Sequence, residues 1–259
     1  QLKGTTVELM KMGEPGVPEM NAYIEEVLKE GETLGFDGRV VSVGEGEGYA
    51  AIAGKKNAKV NYQVDLIDEI WEDRPVLSEE PAFNLDVKYA GETVASKLAR
   101  IREEMKEAGT NVHVVSTIDD ICWTLNIRGN DIDFFPLVLS YGIITMDSFE
   151  LYIDEKKLDD KLKAKLAKDG VNLHPYNDIY EDVKKFGSDV VAMIDPGKLN
   201  YALFNNIPEN VKTVEKRNPA ILMKAIKNPV EIENIRKAQI KDSVAHVRFM
   251  KWLKENVGK

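Results

Sequence analysis

The order of apolar patterns along the chain is the feature that most constrains its fold. Strand-like segments such as Asn111–Ser116 alternate with amphipathic helix-like segments such as Glu92–Glu107 over most of the 259 residues. Strands and helices that alternate at these lengths predict layered α/β structure. The segment Glu72–Phe83 interrupts this order, since it contains Pro75 and Pro81 and has little periodicity. We therefore expect a linker there, between two α/β blocks that each have a core of their own.

Short-range patterns also predict individual strands. In the first block, Thr6–Met12 and Val40–Val43 read as strands. In the second block, Val138–Thr145 and Ser148–Ile153 are apolar runs separated by Met146-Asp147. Two such runs with a short polar break between them predict an antiparallel pair.

The last segment of the chain has the pattern of one long helix. Pro229 suits the first turn of a helix, because the N–H that proline lacks would be unpaired there in any case. The helix is predicted to run to about Val257 and to carry a stripe of apolar residues, which are Ile232, Ile235, Ala238, Val244, Val247 and Leu253. With no further domain to cover it, we expect this stripe to be exposed or to pack against a neighbouring molecule.

Composition and charge argue against several classes of protein. The formal net charge is −9, and the densest basic stretch, Lys156–Lys168, alternates with leucines and has aspartates beside it. This pattern is typical of a solvated helix face, so nucleic acid is not an expected partner. No run of about eighteen apolar residues occurs, so we expect no membrane-spanning helix. Cys122 is the only cysteine, which rules out an intrachain disulfide and suits a reducing cytoplasm.

A glycine-rich segment deserves a test as a nucleotide-binding loop. Within and just after Gly44–Gly48, the residues Gly46, Gly48 and Ala51 satisfy the spacing G-x-G-x-x-[GA] after an apparent strand. However, Glu45 and Glu47 would place carboxylates where a pyrophosphate should lie, and like charges repel. We favour a plain strand–turn–helix junction, and a nucleotide-dependent enzyme that uses this loop stays a disfavoured alternative.

The polar segment Asn126–Asp131 is the best candidate for a functional loop. It follows a helix-like pattern that contains Trp123, and Gly129 allows the backbone to turn tightly. Arg128 and Asp131 carry opposite charges, and two interpretations stay open. The first is a local ion pair between them, and the second is a place in a substrate cleft.

Metal-ligating residues are not grouped in this sequence. The only histidines are His113, His174 and His246. The first lies in an apolar strand pattern, the second precedes a proline, and the third belongs to the terminal helix. None has a partner at helical or strand spacing that would complete a metal site. We therefore predict no metal site and no catalytic residue in this chain.

Four segments together carry a resemblance to a known family. They are Gly35–Arg39 (GFDGR), Asp68–Pro75 (DEIWEDRP), Leu125–Ile132 (LNIRGNDI) and Lys224–Ala238 (KAIKNPVEIENIRKA). In this order they resemble the long form of Xaa-Pro aminopeptidases, the aminopeptidase P branch of the creatinase/prolidase superfamily. The third segment is similar to the family's middle domain, and the fourth to the first helix of its catalytic domain.

The resemblance implies a fold and a domain order. Two creatinase N-terminal-like domains are expected, each a mixed β-sheet flanked by helices. Residues 1–75 would be the incomplete remainder of the first domain, residues 76–226 the middle domain, and residues 227–259 the first helix of an absent peptidase domain. The family's metal ligands (two aspartates, a histidine and two glutamates) would follow Lys259. The chain alone is therefore expected to be inactive, whereas the full protein would use two manganese ions.

The resemblance also implies partners and a site. The full protein would act in the cytoplasm, as a homodimer, on short peptides with proline in the second position. Arg128 and Asp131 are the substrate-cleft candidates, because this loop faces the catalytic domain in the family. Asn130 and Phe135 stand where relatives commonly have Ser and Asn. A stand-alone binding or oligomerisation module without peptidase activity is the rival hypothesis.

Overall fold

The structure is a computed structural model that describes residues 2–258, in which helices and strands alternate along the chain. In chain order the elements are α1 (Met20–Val27), β1 (Thr33–Gly35), α2 (Val43–Lys55), β2 (Lys59–Asn61), β3 (Phe83–Asn84), α3 (Val87–Ala90), α4 (Val94–Glu107), β4 (Val112–Val115), α5 (Ile118–Thr124), β5 (Ile127–Arg128), β6 (Tyr141–Thr145), β7 (Phe149–Tyr152), α6 (Asp160–Lys168), β8 (Val171–His174), α7 (Ile179–Asp182), β9 (Val191–Ile194), α8 (Tyr201–Phe204), β10 (Lys212–Glu215), α9 (Pro219–Ala225) and α10 (Pro229–Asn256). Short 3-10 turns lie at Glu155–Lys157, Tyr176–Asp178 and Val183–Lys185.

Unit 1 contains the chain up to Val76 together with Tyr180–Phe186 and Asp195–Glu209. Its sheet consists of the parallel strands β1 and β2; α2 packs against both strands, and α1 packs against α2. One buried apolar cluster of this unit comprises Leu28, Ile52 and Ala53. The unit therefore has a small α/β core of its own.

Unit 2 contains Leu77–Ile179, Gly187–Ile194 and the chain from Asn210 onward. Its main sheet has six strands in the order β10-β9-β4-β6-β7-β8. The pairs β4–β6 and β6–β7 are antiparallel and the others are parallel, so the sheet is mixed. Helices α4, α5 and α6 contribute buried apolar residues to the core of this unit, among them Leu98, Ile101, Met105, Ile121, Leu162 and Leu166. The mixed sheet flanked by helices confirms the predicted fold class.

Helix α10 starts where the sequence predicts it. Asn228 caps the helix, because its side chain accepts hydrogen bonds from the backbone N–H groups of Val230 and Glu231, both at 3.0 Å. The Glu231 carboxylate in turn accepts from the Asn228 N–H at 2.9 Å, which completes a capping box. None of the 28 residues that the structure describes in α10 is buried. The expected apolar stripe is therefore exposed, with Ile235, Val244 and Val247 among its members.

Two predicted strands are wrong. Thr6–Met12 forms no strand, and its residues are exposed without a neighbouring strand to pair with. Val40–Val43 is a turn followed by the start of α2, because Ser42 caps that helix instead of continuing an extended segment. In contrast, β6 and β7 form the predicted antiparallel pair around Met146-Asp147.

The units differ from the predicted domain ranges, since residues 227–259 belong to unit 2 and two later segments belong to unit 1. Tyr180–Phe186 and Asp195–Glu209 belong to unit 1, although the family resemblance placed them in residues 76–226. Periodicity marks where an element lies but contains no information on which elements pack together. The assignment of residues 1–75, 76–226 and 227–259 to successive domains stays a prediction.

Candidate functional site

Arg128 lies at the carboxyl end of a short helix, where backbone carbonyls lack helical partners. Its Nη1 donates hydrogen bonds to the carbonyl oxygens of Cys122, at 2.7 Å, and Ile127, at 2.8 Å. Strand β5, which contains Arg128, pairs with β3 so that Arg128 lies opposite Phe83. A cation at the end of α5 satisfies free carbonyls and complements the helix dipole. One edge of the guanidinium is therefore fixed by the fold.

The other edge of the Arg128 guanidinium is available. Nε and Nη2 form no hydrogen bond with any residue in 2–258, and neither atom is buried without a partner. Burial lowers the pKa of Arg128, and the Glu231 carboxylate in the first turn of α10 offsets part of that shift. Arg128 thus remains charged at neutral pH, with two nitrogens able to donate to a ligand.

Lys97 is a second cation at the same helix end. Its Nζ donates to the Trp123 carbonyl at 2.7 Å and to Asn126 Oδ1 at 2.6 Å, and it lies 4.3 Å from the centre of the Trp123 ring. The residue is 1% exposed, and burial lowers the pKa of its ammonium to about 8. We did not predict this residue from the sequence. The available signal was a lysine on the apolar stripe of α4, between Val94 and Ile101.

Asp131 does not pair with Arg128, so the local ion pair is the wrong interpretation. Its Oδ2 accepts hydrogen bonds from Lys157 Nζ at 2.6 Å and from the Leu139 N–H at 2.7 Å. The Lys157 and Asp131 side chains are 2% and 0% exposed. Asp131 Oδ1 is buried without a hydrogen-bond partner in the part of the chain that the structure describes. Because the carboxylate is enclosed by protein, its role is structural, and it fixes the position of the loop.

The loop between β5 and Leu137 is held by backbone hydrogen bonds. Asp131 N–H donates to the Leu137 carbonyl at 3.2 Å, and Phe135 N–H donates to the Ile132 carbonyl at 3.1 Å. Gly129 approaches the Val138 side chain so closely that a Cβ there would lie 2.7 Å from Val138 Cγ2. The glycine is therefore required for packing.

The glycine-rich segment Gly44–Gly48 is helical and is no phosphate loop. The Gly44 N–H donates to the Pro196 carbonyl at 3.0 Å. Glu45 N–H donates to Ser42 Oγ at 3.3 Å, and the Glu45 carboxylate accepts from the Ser42 N–H at 3.1 Å. These backbone donors are already used, and a carboxylate occupies the helix start. The geometry contradicts the nucleotide-dependent alternative.

The histidines lie apart from one another. His113 is buried, with Nδ1 3.1 Å from the Met193 carbonyl oxygen, whereas His174 Nε2 lies 2.6 Å from Glu150 Oε2. Within residues 2–258 no group of three or more His, Cys, Asp or Glu side chains is placed to hold a metal ion.

In the same range no helix is both long enough and apolar enough to cross a membrane.

Comparison with known proteins assigns this arrangement to a family. The family described as the creatinase/prolidase N-terminal domain matches residues 73–231, which include β5 and the loop that follows it. The chain belongs to this family. Its fold class and the resemblance seen in the sequence are thereby confirmed.

Relatives of this creatinase/prolidase-family chain are Xaa-Pro aminopeptidases. Xaa-Pro aminopeptidase 1 of Dictyostelium discoideum is 34% identical over 262 residues, covering 96% of this chain and 41% of the relative. A probable Xaa-Pro aminopeptidase P of Sordaria macrospora is 33% identical, covering 96% of this chain and 42% of the relative. The crystal structure of X-prolyl aminopeptidase from Caenorhabditis elegans, described as a cytosolic enzyme with a di-nuclear active site, has a TM-score of 0.92 at 30% identity and covers 97% of this chain and 42% of that chain. The chain spans about two fifths of the length of these relatives.

Proposed function

We propose that this chain is the non-catalytic front portion of an aminopeptidase that removes the N-terminal residue preceding proline. The observation that carries the proposal is the extent of the likeness. Xaa-Pro aminopeptidases match 96% and 97% of this chain, whereas the chain covers only 42% of each of these relatives. In this proposal the parent protein uses two metal ions, which we take to be manganese. Residues outside this chain would hold them, and we assign no catalytic residue to the chain itself.

In this proposal the chain forms a wall of the substrate cleft, and Arg128 is the group that faces the peptide. Nη1 is anchored on two backbone carbonyls, which fixes the plane of the guanidinium before any ligand binds. Nε and Nη2 are then available to a peptide carbonyl or carboxylate, and charge-assisted hydrogen bonds of this kind give both energy and orientation. Asp131 contributes indirectly, because its ion pair with Lys157 holds the segment of the loop that follows Arg128.

The proposed substrates are short peptides with proline in the second position. A walled cleft would admit only peptides that are unfolded. We further propose a homodimer that acts in the cytoplasm, a location supported by the description of the Caenorhabditis elegans relative as cytosolic. The exposed apolar stripe of α10 supports the view that other protein surface covers it in the parent. Each large side chain covered in this way would contribute about 1.5–3 kcal/mol.

Substitution of Arg128 in the full-length protein tests the cleft role. We expect Arg128→Ala to lower kcat/KM on an Xaa-Pro peptide by about tenfold or more, the equivalent of about 1.4 kcal/mol of transition-state binding. Arg102→Ala is the matched control, because this half-buried arginine also donates to two backbone carbonyls, those of Thr145 at 2.9 Å and Ser148 at 3.0 Å. Both variants should lower Tm, but only Arg128→Ala should lower kcat/KM. If kcat/KM is the same in the two variants, Arg128 only caps α5 and does not contact the substrate.

The rival hypothesis is a stand-alone binding or oligomerisation module. It predicts a full-length protein that does not continue into metal-ligand motifs and that cleaves no Xaa-Pro peptide. The length of the full reading frame and one peptidase assay therefore separate the two hypotheses.

A further inference from the structure

The start of helix α10 is docked on the end of helix α3 by side-chain amides. Asn228 Nδ2 donates a hydrogen bond to the Ala90 carbonyl oxygen at 2.8 Å. Farther along α10, Asn234 Nδ2 donates to the carbonyl oxygens of Lys88, at 3.3 Å, and Tyr89, at 3.4 Å. The last carbonyls of a helix lack partners within it. The two asparagines therefore satisfy carbonyls at the carboxyl end of α3.

Asn228 makes two kinds of contact at this junction. Its Oδ1 caps α10, and its Nδ2 binds Ala90. The fit around it is close, because a Cβ at Gly91 would lie 2.7 Å from Asn228 Cγ, and the hydrogen bonds of the cap prevent that side chain from moving aside. Gly91 has a φ of +71° and ends α3 in the left-handed region that favours glycine. One side chain packed against one glycine thus holds α10 on α3.

The start of α10 also lies close to the Arg128 site. The Glu231 carboxylate, which accepts from the Asn228 N–H at 2.9 Å, belongs to the first turn of α10. It partly offsets the burial that lowers the pKa of Arg128 and the pKa of Lys97. Effects of this kind are screened beyond about 10 Å. Arg128 and the first turn of α10 therefore belong to the same part of unit 2.

We propose that Asn228 is a positioning residue, which sets the direction of α10 relative to Arg128 and so places the peptidase domain of the parent protein. This inference rests on the proposed function and deepens it, because in that proposal α10 leads into the peptidase domain. The helix has 28 residues, so at 1.5 Å per residue it is about 42 Å long. A rotation of about 5° at Asn228 would move its far end by about 4 Å. Because a misplacement of about 1 Å can lower a rate about a hundredfold, the contact with Ala90 determines whether Arg128 and the metal ions reach one peptide together.

Asn228→Asp and Gly91→Ala in the full-length protein break the contact from its two sides. Aspartate caps a helix as well as asparagine does, but its second oxygen would face the Ala90 carbonyl oxygen and could not donate to it. Gly91→Ala displaces the Asn228 side chain without adding a charge. We expect each variant to lower kcat/KM on an Xaa-Pro peptide about fivefold or more. Gly109→Ala is the matched control, because Gly109 also has a left-handed φ, of +68°, but a Cβ there meets no atom of residues 2–258 within 4 Å.

Two further measurements separate positioning of Arg128 from a general loss of structure. In a protein that already carries Arg128→Ala, Asn228→Asp should lower kcat/KM by less than about twofold further, since effects that act through one contact are not additive. On the chain itself, spin labels at Glu103→Cys and Lys241→Cys, two exposed positions on α4 and α10, report the direction of α10, because Cys122 is buried. Lys241 is about 20 Å from the cap, so Asn228→Asp should change or broaden the distance between the labels by about 2 Å or more, as a rotation of about 6–10° predicts.

Several outcomes overturn the inference while leaving the peptidase function intact. They are an unchanged kcat/KM in Asn228→Asp or in Gly91→Ala, and an equal loss in Gly91→Ala and Gly109→Ala. An equal loss from Asn228→Asp with and without the Arg128 side chain also overturns it, as does an unchanged distance between the labels. A wild type that cleaves no peptide refutes the proposed function itself, and the inference with it.

Discussion

The buried ion pair between Lys157 and Asp131 offers a direct test of how the Arg128 loop is held. The two side chains are 2% and 0% exposed, and Nζ lies 2.6 Å from Oδ2. Lys157→Met removes the positive charge while keeping most of the stem, which leaves the Asp131 carboxylate buried without a counter-charge. Removing one partner of a buried pair costs about 3–5 kcal/mol. The Leu139 N–H still donates to Oδ2, so we expect a loss near the lower end.

A loss of about 3 kcal/mol in the free energy of unfolding is large for one substitution. In proteins of this size each kcal/mol changes Tm by about 2–4 °C, so Tm should fall by about 6–12 °C. Thermal and urea unfolding at pH 7, followed by circular dichroism, measure the two quantities independently. Lys157→Met/Asp131→Asn should recover much of the loss, because Asn keeps an acceptor for Leu139 and removes the buried charge.

An exposed pair provides the control for this prediction. Lys163 Nζ lies 3.1 Å from Glu155, and the two side chains are 35% and 50% exposed. Solvent-exposed pairs contribute about 0–1 kcal/mol, so Lys163→Met should hardly change the unfolding transition. If Lys157→Met costs no more than Lys163→Met, or if the double variant is no more stable than Lys157→Met, the buried pair does not anchor the loop.

Three further predictions concern stability. Burial lowers the pKa of Lys97 to about 8; the unfolded chain therefore binds more protons between that value and its ordinary pKa of about 10.4, so stability should rise with pH across this window. Lys97→Met should abolish that rise, which the difference in Tm between the two proteins from pH 7 to 10.5 measures. Gly129→Ala places a Cβ 2.7 Å from Val138 Cγ2, and overpacking of this kind should lower the free energy of unfolding by about 1–3 kcal/mol in urea. Gly46→Ala places a Cβ 2.3 Å from the Tyr201 ring and should lower the Tm of unit 1 in calorimetry, whereas an unchanged Tm would show that the ring moves aside freely.

The sequence correctly predicted elements whose signals lie in adjacent residues. Helix α10 begins at Pro229 and its capping residues. The chain reverses direction at Met146-Asp147, between the antiparallel strands β6 and β7. Thr6–Met12 has the alternation of a strand but no strand beside it, and a strand forms only where a neighbour satisfies its backbone. Its failure shows that alternation is insufficient without a partner.

The chemistry of the candidate loop was predicted in part. The sequence identified Arg128 and Asp131 as the charged residues of interest, and one of its two open interpretations paired them with each other because they are close in sequence. The actual partner of Asp131 is Lys157, 26 residues away and inside a basic stretch that reads as a solvated face. This pairing depends on the fold, because Lys157 follows β7 and the strands β6 and β7 bring it back to the loop that contains Asp131. The left-handed backbone at Phe134, which has a φ of +67°, has no signal in the residue pattern.

Cleavage of an Xaa-Pro peptide by the purified chain and by the full-length protein that contains it, compared in the same assay with added manganese, tests the central proposal most directly. We predict turnover by the full-length protein and none by the chain alone. Turnover by the chain that persists after contaminating peptidases have been removed would contradict the account, and so would a full-length protein that leaves the peptide intact.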